Sequence, residues 1–98
     1  MSLDVVLRPL ASAEWEEAAE RYENQHAGLG AEFSAEVLRV LEVIAENPER
    51  YPVVRLDIRE GLTSKFPYAI YYRVRTNRIV VIAVFHGSRN PEEWQRRR

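Results

Sequence analysis

The feature that most constrains the fold is a change in hydrophobic periodicity in the middle of the chain. Up to residue 46 the apolar side chains recur every three to four residues, and after Pro52 they alternate with polar ones. The first spacing puts apolar residues on one face of an α-helix, and the second puts them on one side of a β-strand. Asn47-Pro48 stands between the two patterns, where a proline disfavours further helix. The sequence therefore predicts helices first and a β-sheet second.

Two helices are predicted in the first half, after a short strand from Asp4 to Arg8. The first helix would run from Ser12, as its N-cap, to His26, with glutamates in its first turn. Gly28-Leu29-Gly30 interrupts the pattern, and the second helix carries an apolar stripe from Phe33 to Ile44. So short a connection predicts an antiparallel helical hairpin. Its seam, or the sheet beneath it, would hold Trp15, Tyr22, Phe33 and Val40. Its water-facing glutamates would be Glu20, Glu23, Glu32, Glu36, Glu42 and Glu46.

The second half predicts three strands. Val54 to Ile58 alternates with charged residues, and Leu62 to Lys65 is expected to continue as extended chain. Tyr68 to Arg75 and Arg78 to His86 read as a hairpin with a turn at Thr76-Asn77. The order β-α-α-β-β-β predicts an α+β fold, in which the helical hairpin packs on one face of a small, mostly antiparallel sheet. The other face would be open.

Alternation sorts the side chains of the last hairpin into two faces. On its first strand, one face would hold Ala69, Tyr71 and Arg73, and the other Tyr68, Ile70, Tyr72 and Val74. On its second strand, one face would hold Val80, Ile82, Val84 and His86, and the other Ile79, Val81, Ala83 and Phe85. Only the stretch from Val80 to Phe85 is apolar on both faces, so that strand should be central. We interpret the uncovered face, partly apolar and ringed by charge, as a binding face.

Composition narrows the class of protein. The chain has 98 residues, enough for a single domain over residues 1–98. It has no cysteine and only two histidines, His26 and His86, so we expect no disulfide, no metal site and no cofactor. No apolar run approaches the ~20 residues of a membrane span, and no basic leader precedes an apolar segment. We therefore expect a cytoplasmic protein with no membrane partner.

The two halves of the chain have opposite charge, although the whole has a formal charge of -1. Residues 1–50 contain four arginines and eleven acidic residues, whereas residues 51–98 contain ten basic and four acidic residues. Two interpretations remain open: either the halves neutralise each other in the fold, or the second half builds a cationic surface for an acidic partner.

The basic and aromatic residues near the strand ends are the candidate functional residues. His86 ends the predicted central strand, where it could transfer a proton or serve as a hydrogen-bonded rim residue. Arg59, Lys65, Arg73 and Arg89 could converge on a phosphate or carboxylate, or could simply solvate the sheet.

Trp94 follows Pro91 in what reads as a short helical turn. It could pack back onto the sheet, or stack on a base or a partner protein. Arg96, Arg97 and Arg98 would form a frayed end. No glycine-rich phosphate loop or nucleophile motif is present, so the residues alone do not predict a reaction.

After the glutamate-rich helices come four stretches, which are ENPERYPVV (Glu46 to Val54), Arg59-Glu60, FPYAIYYRV (Phe66 to Val74) and AVFHGSRNPEEWQRR (Ala83 to Arg97). In this order they resemble the RelE/ParE superfamily of toxins from bacterial type II toxin–antitoxin modules, and most of all its ParE-type plasmid stabilisation branch. The resemblance extends over essentially the whole chain. It implies a small β-α-α-β-β-β toxin that a cognate antitoxin neutralises.

The superfamily implies two alternative activities. A RelE-like toxin is a metal-independent endoribonuclease that cuts mRNA on the ribosome, for which the candidate catalytic residues here are Arg59, Lys65, His86 and Arg89. A ParE-like toxin binds and inhibits a target such as DNA gyrase without a reaction, and its candidate binding residues are Arg59, Arg73, Arg89 and Trp94. A member without toxicity is the third alternative.

Three departures from the ribonuclease pattern favour the ParE-like alternative. Ala69 stands where those enzymes carry an arginine, Arg59 is the one basic residue between Leu56 and Ser64, and Trp94 has no hydroxyl proton. Each lost group typically reduces the rate by about 10²-fold. We expect the antitoxin to lie across the open sheet face or along the helical hairpin, with acidic or apolar side chains meeting Arg59, Arg73 and Arg89. The free toxin would then expose an apolar patch.

Overall fold

The protein, whose computed structural model describes residues 2–98, begins with a strand followed by a helical hairpin. These elements are β1 (Asp4–Leu7), α1 (Pro9–Gln25) and α2 (Leu29–Glu46). The remaining elements are β2 (Val53–Arg55), β3 (Ile58–Leu62), β4 (Tyr68–Val74), β5 (Arg78–His86) and α3 (Glu92–Gln95). The predicted α+β class is confirmed. None of the described helices is long and apolar enough to cross a bilayer.

The five strands form one sheet in the order β1-β5-β4-β3-β2. β1 runs parallel to β5, and every other neighbouring pair is antiparallel. β5 lies between β1 and β4, which confirms that the strand containing Val80 to Phe85 is internal. The predicted turn at Thr76-Asn77 is also confirmed, since the Arg75 N–H donates to the Arg78 carbonyl at 2.8 Å.

The prediction of one strand through Leu56 was wrong. Val53 pairs with Arg59 and Arg55 with Ile58, so the segment folds into a second hairpin, β2-β3. Leu56 occupies the turn with φ 53° and is 77% exposed, an unusual conformation for a residue with a bulky side chain. The expected extended chain from Leu62 to Lys65 is also absent from the described residues, because β3 ends at Leu62 and Lys65 has φ 70°.

The first helix begins earlier than predicted. Pro9 occupies its first turn, and the N–H of Ser12 already donates to the Arg8 carbonyl at 3.0 Å, so Ser12 is not the N-cap. A proline suits this position because its fixed φ is helical and its missing N–H would have had no partner there. The glutamates that begin at Glu14 consequently lie beyond the first turn.

Two of the glutamates predicted to face water instead join elements together. The Glu23 carboxylate accepts the N–H groups of Gly28 at 2.9 Å and Gly30 at 3.0 Å, and thus caps the start of α2 from α1. The Glu36 carboxylate accepts hydrogen bonds from Arg39 and from the Ser64 N–H. These bonds, that of Arg39 above all, lower the pKa of Glu36 to about 2.

The helical hairpin packs on one face of the sheet and forms the main core. The predicted seam is confirmed, because Phe33 and Val40 are fully buried and Trp15 and Tyr22 pack against them. Trp15 Nε1 also donates to the hydroxyl of Ser34 across the hairpin at 3.0 Å. The buried residues of this core are Ala11, Ala18, Phe33, Val37, Val40, Leu41, Ile44, Tyr68, Ile70, Tyr72, Ile79, Val81 and Val84.

A β-bulge in β5 changes which side chains share a face. Tyr72 pairs with Val81 but Tyr71 pairs with Ala83, so Ile82 is an extra residue. The alternation predicted for β4 is confirmed, whereas the alternation predicted for β5 was wrong beyond Ile82. Val84 is part of the core under the helices, while Ile82, Ala83 and Phe85 lie on the other face. His86, which pairs with Tyr68, lies on the helical side as well.

The second face of the sheet is not open as predicted. The chain after β5 folds back beneath it, and Trp94 of α3 is stacked on Tyr71 with ring centroids 3.8 Å apart. The guanidinium of Arg89 covers the ring of Phe85 at 4.2 Å. A second core results, whose buried residues are Ile58, Ala69, Tyr71, Val80, Ile82, Ala83, Phe85 and Trp94.

Candidate functional site

The site is built at the exit of β5, along the part of its edge that β1 does not cover. The pairing of β1 with β5 ends at Val81. Beyond it, the Ile82 carbonyl accepts a hydrogen bond from Arg97 at 3.1 Å, and the Val84 N–H donates to Glu14 at 3.2 Å. Side chains from the two ends of the chain therefore replace a neighbouring strand at this edge.

Glu14 is the centre of this arrangement. Its carboxylate accepts two hydrogen bonds from the Arg97 guanidinium, at 2.7 and 2.9 Å, and one from Arg89 at 2.8 Å. The side chain of Glu14 is only 10% exposed and that of Arg97 only 14%. Arg97 is thus held by a two-pronged ion pair, and the prediction of a frayed terminal arginine was wrong for this residue.

Arg89 extends from the segment after β5 and is held on two sides. One carboxylate is that of Glu14, and the other is that of Glu93, whose Oε2 accepts from Nε at 3.2 Å. Burial opposes the charge of Arg89, but the hydrogen bonds and charges of the two glutamates outweigh it and raise the pKa of Arg89. The side chain remains 40% exposed, so its outer edge is accessible to a partner.

His86 is oriented by its neighbours on both sides. Its ring meets the Tyr68 ring edge-on, with centroids 5.2 Å apart. The backbone N–H of Ser88 donates to Nδ1 at 3.0 Å, which assigns the hydrogen of a neutral ring to Nε2. His86 therefore presents a donor at Nε2 from a fixed ring.

A groove between α1 and the end of β5, the α1–β5 groove, brings His86 and Arg89 together. It consists of two adjoining depressions of about 460 and 270 Å³ that share walls made by Arg21, Tyr68, His86 and Arg89. Arg21 was not predicted from the sequence. It is an exposed residue of α1 whose Nη2 donates to the hydroxyl of Tyr68 at 2.9 Å, and the Tyr68 ring also contacts His86.

Arg59 and Lys65 do not join this groove. Arg59 Nη1 donates to the carbonyls of Glu49 at 3.2 Å and Tyr51 at 2.6 Å, and so ties down the loop before β2. Lys65 lies in the β3–β4 turn, beside the first turns of α2. Arg59 is opposite Tyr72, whereas His86 is opposite Tyr68. Four residues along a strand amount to roughly 13 Å, too far for one phosphate to contact both.

Arg73 and Trp94 belong to the second face. Arg73 approaches Asp57 at 3.1 Å and is 14% exposed, and Trp94 is 4% exposed. Tyr71, on which Trp94 stacks, donates to Glu60 at 2.6 Å, and burial together with this carboxylate raises the pKa of Tyr71. Trp94 is thus part of the second core, where its indole is not available to stack on a ligand in this conformation, and Arg73 is paired with Asp57.

The α1–β5 groove presents hydrogen-bond donors and positive charge to a ligand. Within residues 2–98, no cluster of three histidine or carboxylate side chains could hold a metal ion. The α1–β5 groove contains a fixed hydrogen-bond donor, His86 Nε2, and the guanidinium groups of Arg21 and Arg89. These groups suit recognition of an anion.

These features define a class of small α+β proteins in which a two-helix hairpin covers one face of a sheet and arginines line the exit of an internal strand. The sequence matches the family of ParE toxins of the type II toxin–antitoxin system, parDE, over residues 5–91. The chain therefore belongs to the ParE toxin family and is a type II toxin.

One solved structure with the same fold is that of the chromosomal ParDE toxin–antitoxin system from P. aeruginosa. It has a TM-score of 0.76 and 10% sequence identity, and the match covers 87% of this chain and 96% of the other. No curated protein matches the sequence. At this identity the structural match supports the fold alone.

Proposed function

We propose that this toxin acts by binding and inhibiting a macromolecular target such as DNA gyrase, without catalysing a reaction, and that its cognate antitoxin neutralises it. The observation that carries the proposal is the separation of the candidate nuclease residues. His86 and Arg89 line the α1–β5 groove, whereas Arg59 is bound to loop carbonyls and Lys65 lies beside α2. A metal-independent ribonuclease would need its cations close to one phosphate.

The environment of Ala69 supports the same proposal. Ala69 stands where the ribonuclease branch carries an arginine, and here it is buried in the second core opposite Phe85. The arginine of the ribonuclease branch is therefore absent here, and residues of the second core cover the position where it would stand. Among the predicted binding residues, we assign the target contact to Arg89, which remains partly exposed, and a scaffolding role to Arg59, Arg73 and Trp94.

Two assays with the purified toxin test this proposal. We expect inhibition of DNA supercoiling by gyrase and no cleavage of mRNA on translating ribosomes. Arg89→Ala should weaken inhibition by about tenfold or more, because it removes a charged contact. Arg55→Ala, at an exposed arginine on the far edge strand β2, serves as the matched control and should leave inhibition unchanged. Thermal unfolding of each variant would separate lost binding from lost folding.

The opposite pattern of results would overturn the proposal. Cleavage of mRNA with intact supercoiling would assign the protein to the ribonuclease branch. If neither activity is found and induced expression is harmless, the protein is a family member without toxicity.

A further inference from the structure

The α1–β5 groove contains a cation whose charge the fold leaves unmatched. Arg89 and Arg97 both bind the Glu14 carboxylate, and Arg89 also binds Glu93. Arg21, in contrast, forms no ion pair within residues 2–98, and its one hydrogen bond goes to a neutral hydroxyl, that of Tyr68. A guanidinium has five N–H donors, so most of those of Arg21 remain free for a ligand.

A second free donor faces the same space. Because the Ser88 N–H occupies Nδ1 of His86, the ring presents Nε2–H, for which the described structure provides no acceptor. Arg21 and His86 both contact Tyr68, one at its hydroxyl and the other at its ring. Tyr68 is buried and belongs to the main core, so it holds the two donors on a rigid support. Two such donors on one wall fit the two oxygens of a carboxylate.

Near the start of α1, away from Arg21, the groove has apolar walls. Leu10 and Ala13 of α1 line it, and Leu10 is 59% exposed, although it precedes the buried Ala11 in the first turn of the helix. Leu10 also lines a neighbouring depression of about 330 Å³ together with Pro9 and Ile82. A bulky apolar side chain of a ligand would find contact there, eleven residues or about 16 Å along α1 from Arg21.

We infer that the α1–β5 groove binds an extended segment of a partner protein that carries an acidic side chain and, about four residues away, a bulky apolar one. The carboxylate contacts Arg21 and His86 Nε2–H, and the apolar side chain contacts Leu10. The inference goes beyond the proposed function, because it assigns a peptide-binding groove whichever enzyme the toxin inhibits.

The charge of α1 favours a protein segment over a nucleic acid. The same helix carries five glutamates, which are Glu14, Glu16, Glu17, Glu20 and Glu23. A nucleic acid strand would bring a phosphate past these carboxylates at every nucleotide, and the repulsion would accumulate along the strand. A segment with a single carboxylate brings only one negative charge past them, so the repulsion does not accumulate, although Glu14 and Glu17 line the groove.

Titration of the isotope-labelled full-length toxin, followed by NMR, tests the inference. The probe is acetyl-Leu-Ala-Ala-Ala-Glu-amide, whose two end residues are far enough apart to reach Leu10 and Arg21 together, and its uncharged match is acetyl-Leu-Ala-Ala-Ala-Gln-amide. We expect the acidic peptide to shift the signals of Arg21, His86, Ser88 and Leu10, and to bind about tenfold more tightly than the uncharged one. Arg21→Gln should lower the affinity about tenfold, whereas Arg55→Gln, the same change on β2, should not alter it.

Three results would overturn the inference. Equal binding of the two peptides would show that charge is not recognised. If an oligoadenylate 12-mer shifts the groove signals and the acidic peptide does not, the groove is a nucleic acid site. The absence of any shift at about 10 mM acidic peptide would exclude a peptide site of even millimolar affinity. A wild-type spectrum for unliganded Arg21→Gln, apart from its own neighbours, would confirm that the variant is folded.

Discussion

Glu14 shows how one side chain connects distant parts of this toxin. It belongs to α1, yet its partners are Arg89 and Arg97 near the other end of the chain and the Val84 N–H on the edge of β5. Burying a carboxylate is costly, and the cost is offset only when its oxygens are fully hydrogen-bonded. Here four hydrogen bonds surround it, so the pairing is complete only when α1, β5 and the terminal segment are all in place.

Replacement of Glu14 should therefore be strongly destabilising. In Glu14→Gln, Arg97 loses its counter-charge in a largely buried place and Arg89 keeps only Glu93, so we expect the free energy of unfolding to fall by about 3 kcal/mol. Urea unfolding of the variant and the wild type measures this. Glu16→Gln, an exposed neighbour on the same helix, should change stability by no more than about 0.5 kcal/mol.

The double variant Glu14→Gln/Arg97→Gln provides the check on mechanism. Once Arg97 is neutral, the loss of Glu14 no longer leaves that charge unpaired, so the two single effects should sum to clearly more than the effect of the double variant. Additivity within about 0.5 kcal/mol would show that the pair contributes nothing as a pair.

Among the elements, the helical hairpin depends on one close approach. Gly30 lies near the start of α2, and a Cβ added there would stand 2.5 Å from the Ala19 carbonyl oxygen and 3.0 Å from the Cβ of Glu23. The first of these atoms is backbone, which cannot rotate away. The hairpin can therefore close only if the residue at this point has no side chain.

Gly30→Ala should for this reason destabilise the toxin by about 2 kcal/mol, as overpacking commonly does. Helix propensity alone would predict the opposite sign, a gain of about 1 kcal/mol. Ala35→Gly, at an exposed position of the same helix, measures the propensity effect by itself. Thermal or urea unfolding of Gly30→Ala decides between overpacking and helix propensity. A Gly30→Ala variant more stable than the wild type would contradict the close approach of the helices.

The elements with strong periodicity were predictable, and those without a sequence signal were not. The apolar stripe from Phe33 to Ile44 predicted α2, and alternation predicted both strands of the β4-β5 hairpin. The β2-β3 hairpin was missed because Leu56-Asp57 contains none of the glycine or asparagine residues typical of a two-residue turn. The bulge at Ile82 was missed because β5 is apolar on both faces there, so a one-residue shift leaves the pattern unchanged.

At the scale of the whole molecule, the site could be predicted only in part. His86 and Arg89 follow an internal strand, and this position predicted a functional rim. Arg21 and Glu14 reach the same place from α1, and the Glu14–Arg97 contact joins residues 83 positions apart. Nothing distinguishes Glu14 from the other glutamates of α1 in the sequence. The opposite charges of the two halves are partly explained here, since Glu14 neutralises arginines of the second half.

The C-terminal segment completes the molecule by covering the second face of the sheet. Without it, the buried side chains of Tyr71, Ile82 and Phe85 would lose their cover, and Glu14 would lose Arg97. The apolar patch expected on the second face of the sheet is therefore closed by the chain itself. Solubility of the isolated toxin should depend on this segment rather than on a partner.

Deletion of residues 91–98 tests this dependence. The loss of Trp94 and of the Glu14–Arg97 pair should each cost about 3 kcal/mol, and together they approach the whole stability of a small domain. We expect the shortened toxin to bind the dye ANS and to elute from gel filtration as aggregates, whereas the full-length toxin does neither. Trp94→Ala should give an intermediate result, and Arg96→Ala/Arg98→Ala, which alters two exposed arginines of the same segment, should behave as the wild type. A shortened chain that stays monomeric, binds no ANS and is as stable as the full-length toxin would contradict this expectation. Residues 91–98 would then contribute nothing to folding, and the second face of the sheet would tolerate contact with water.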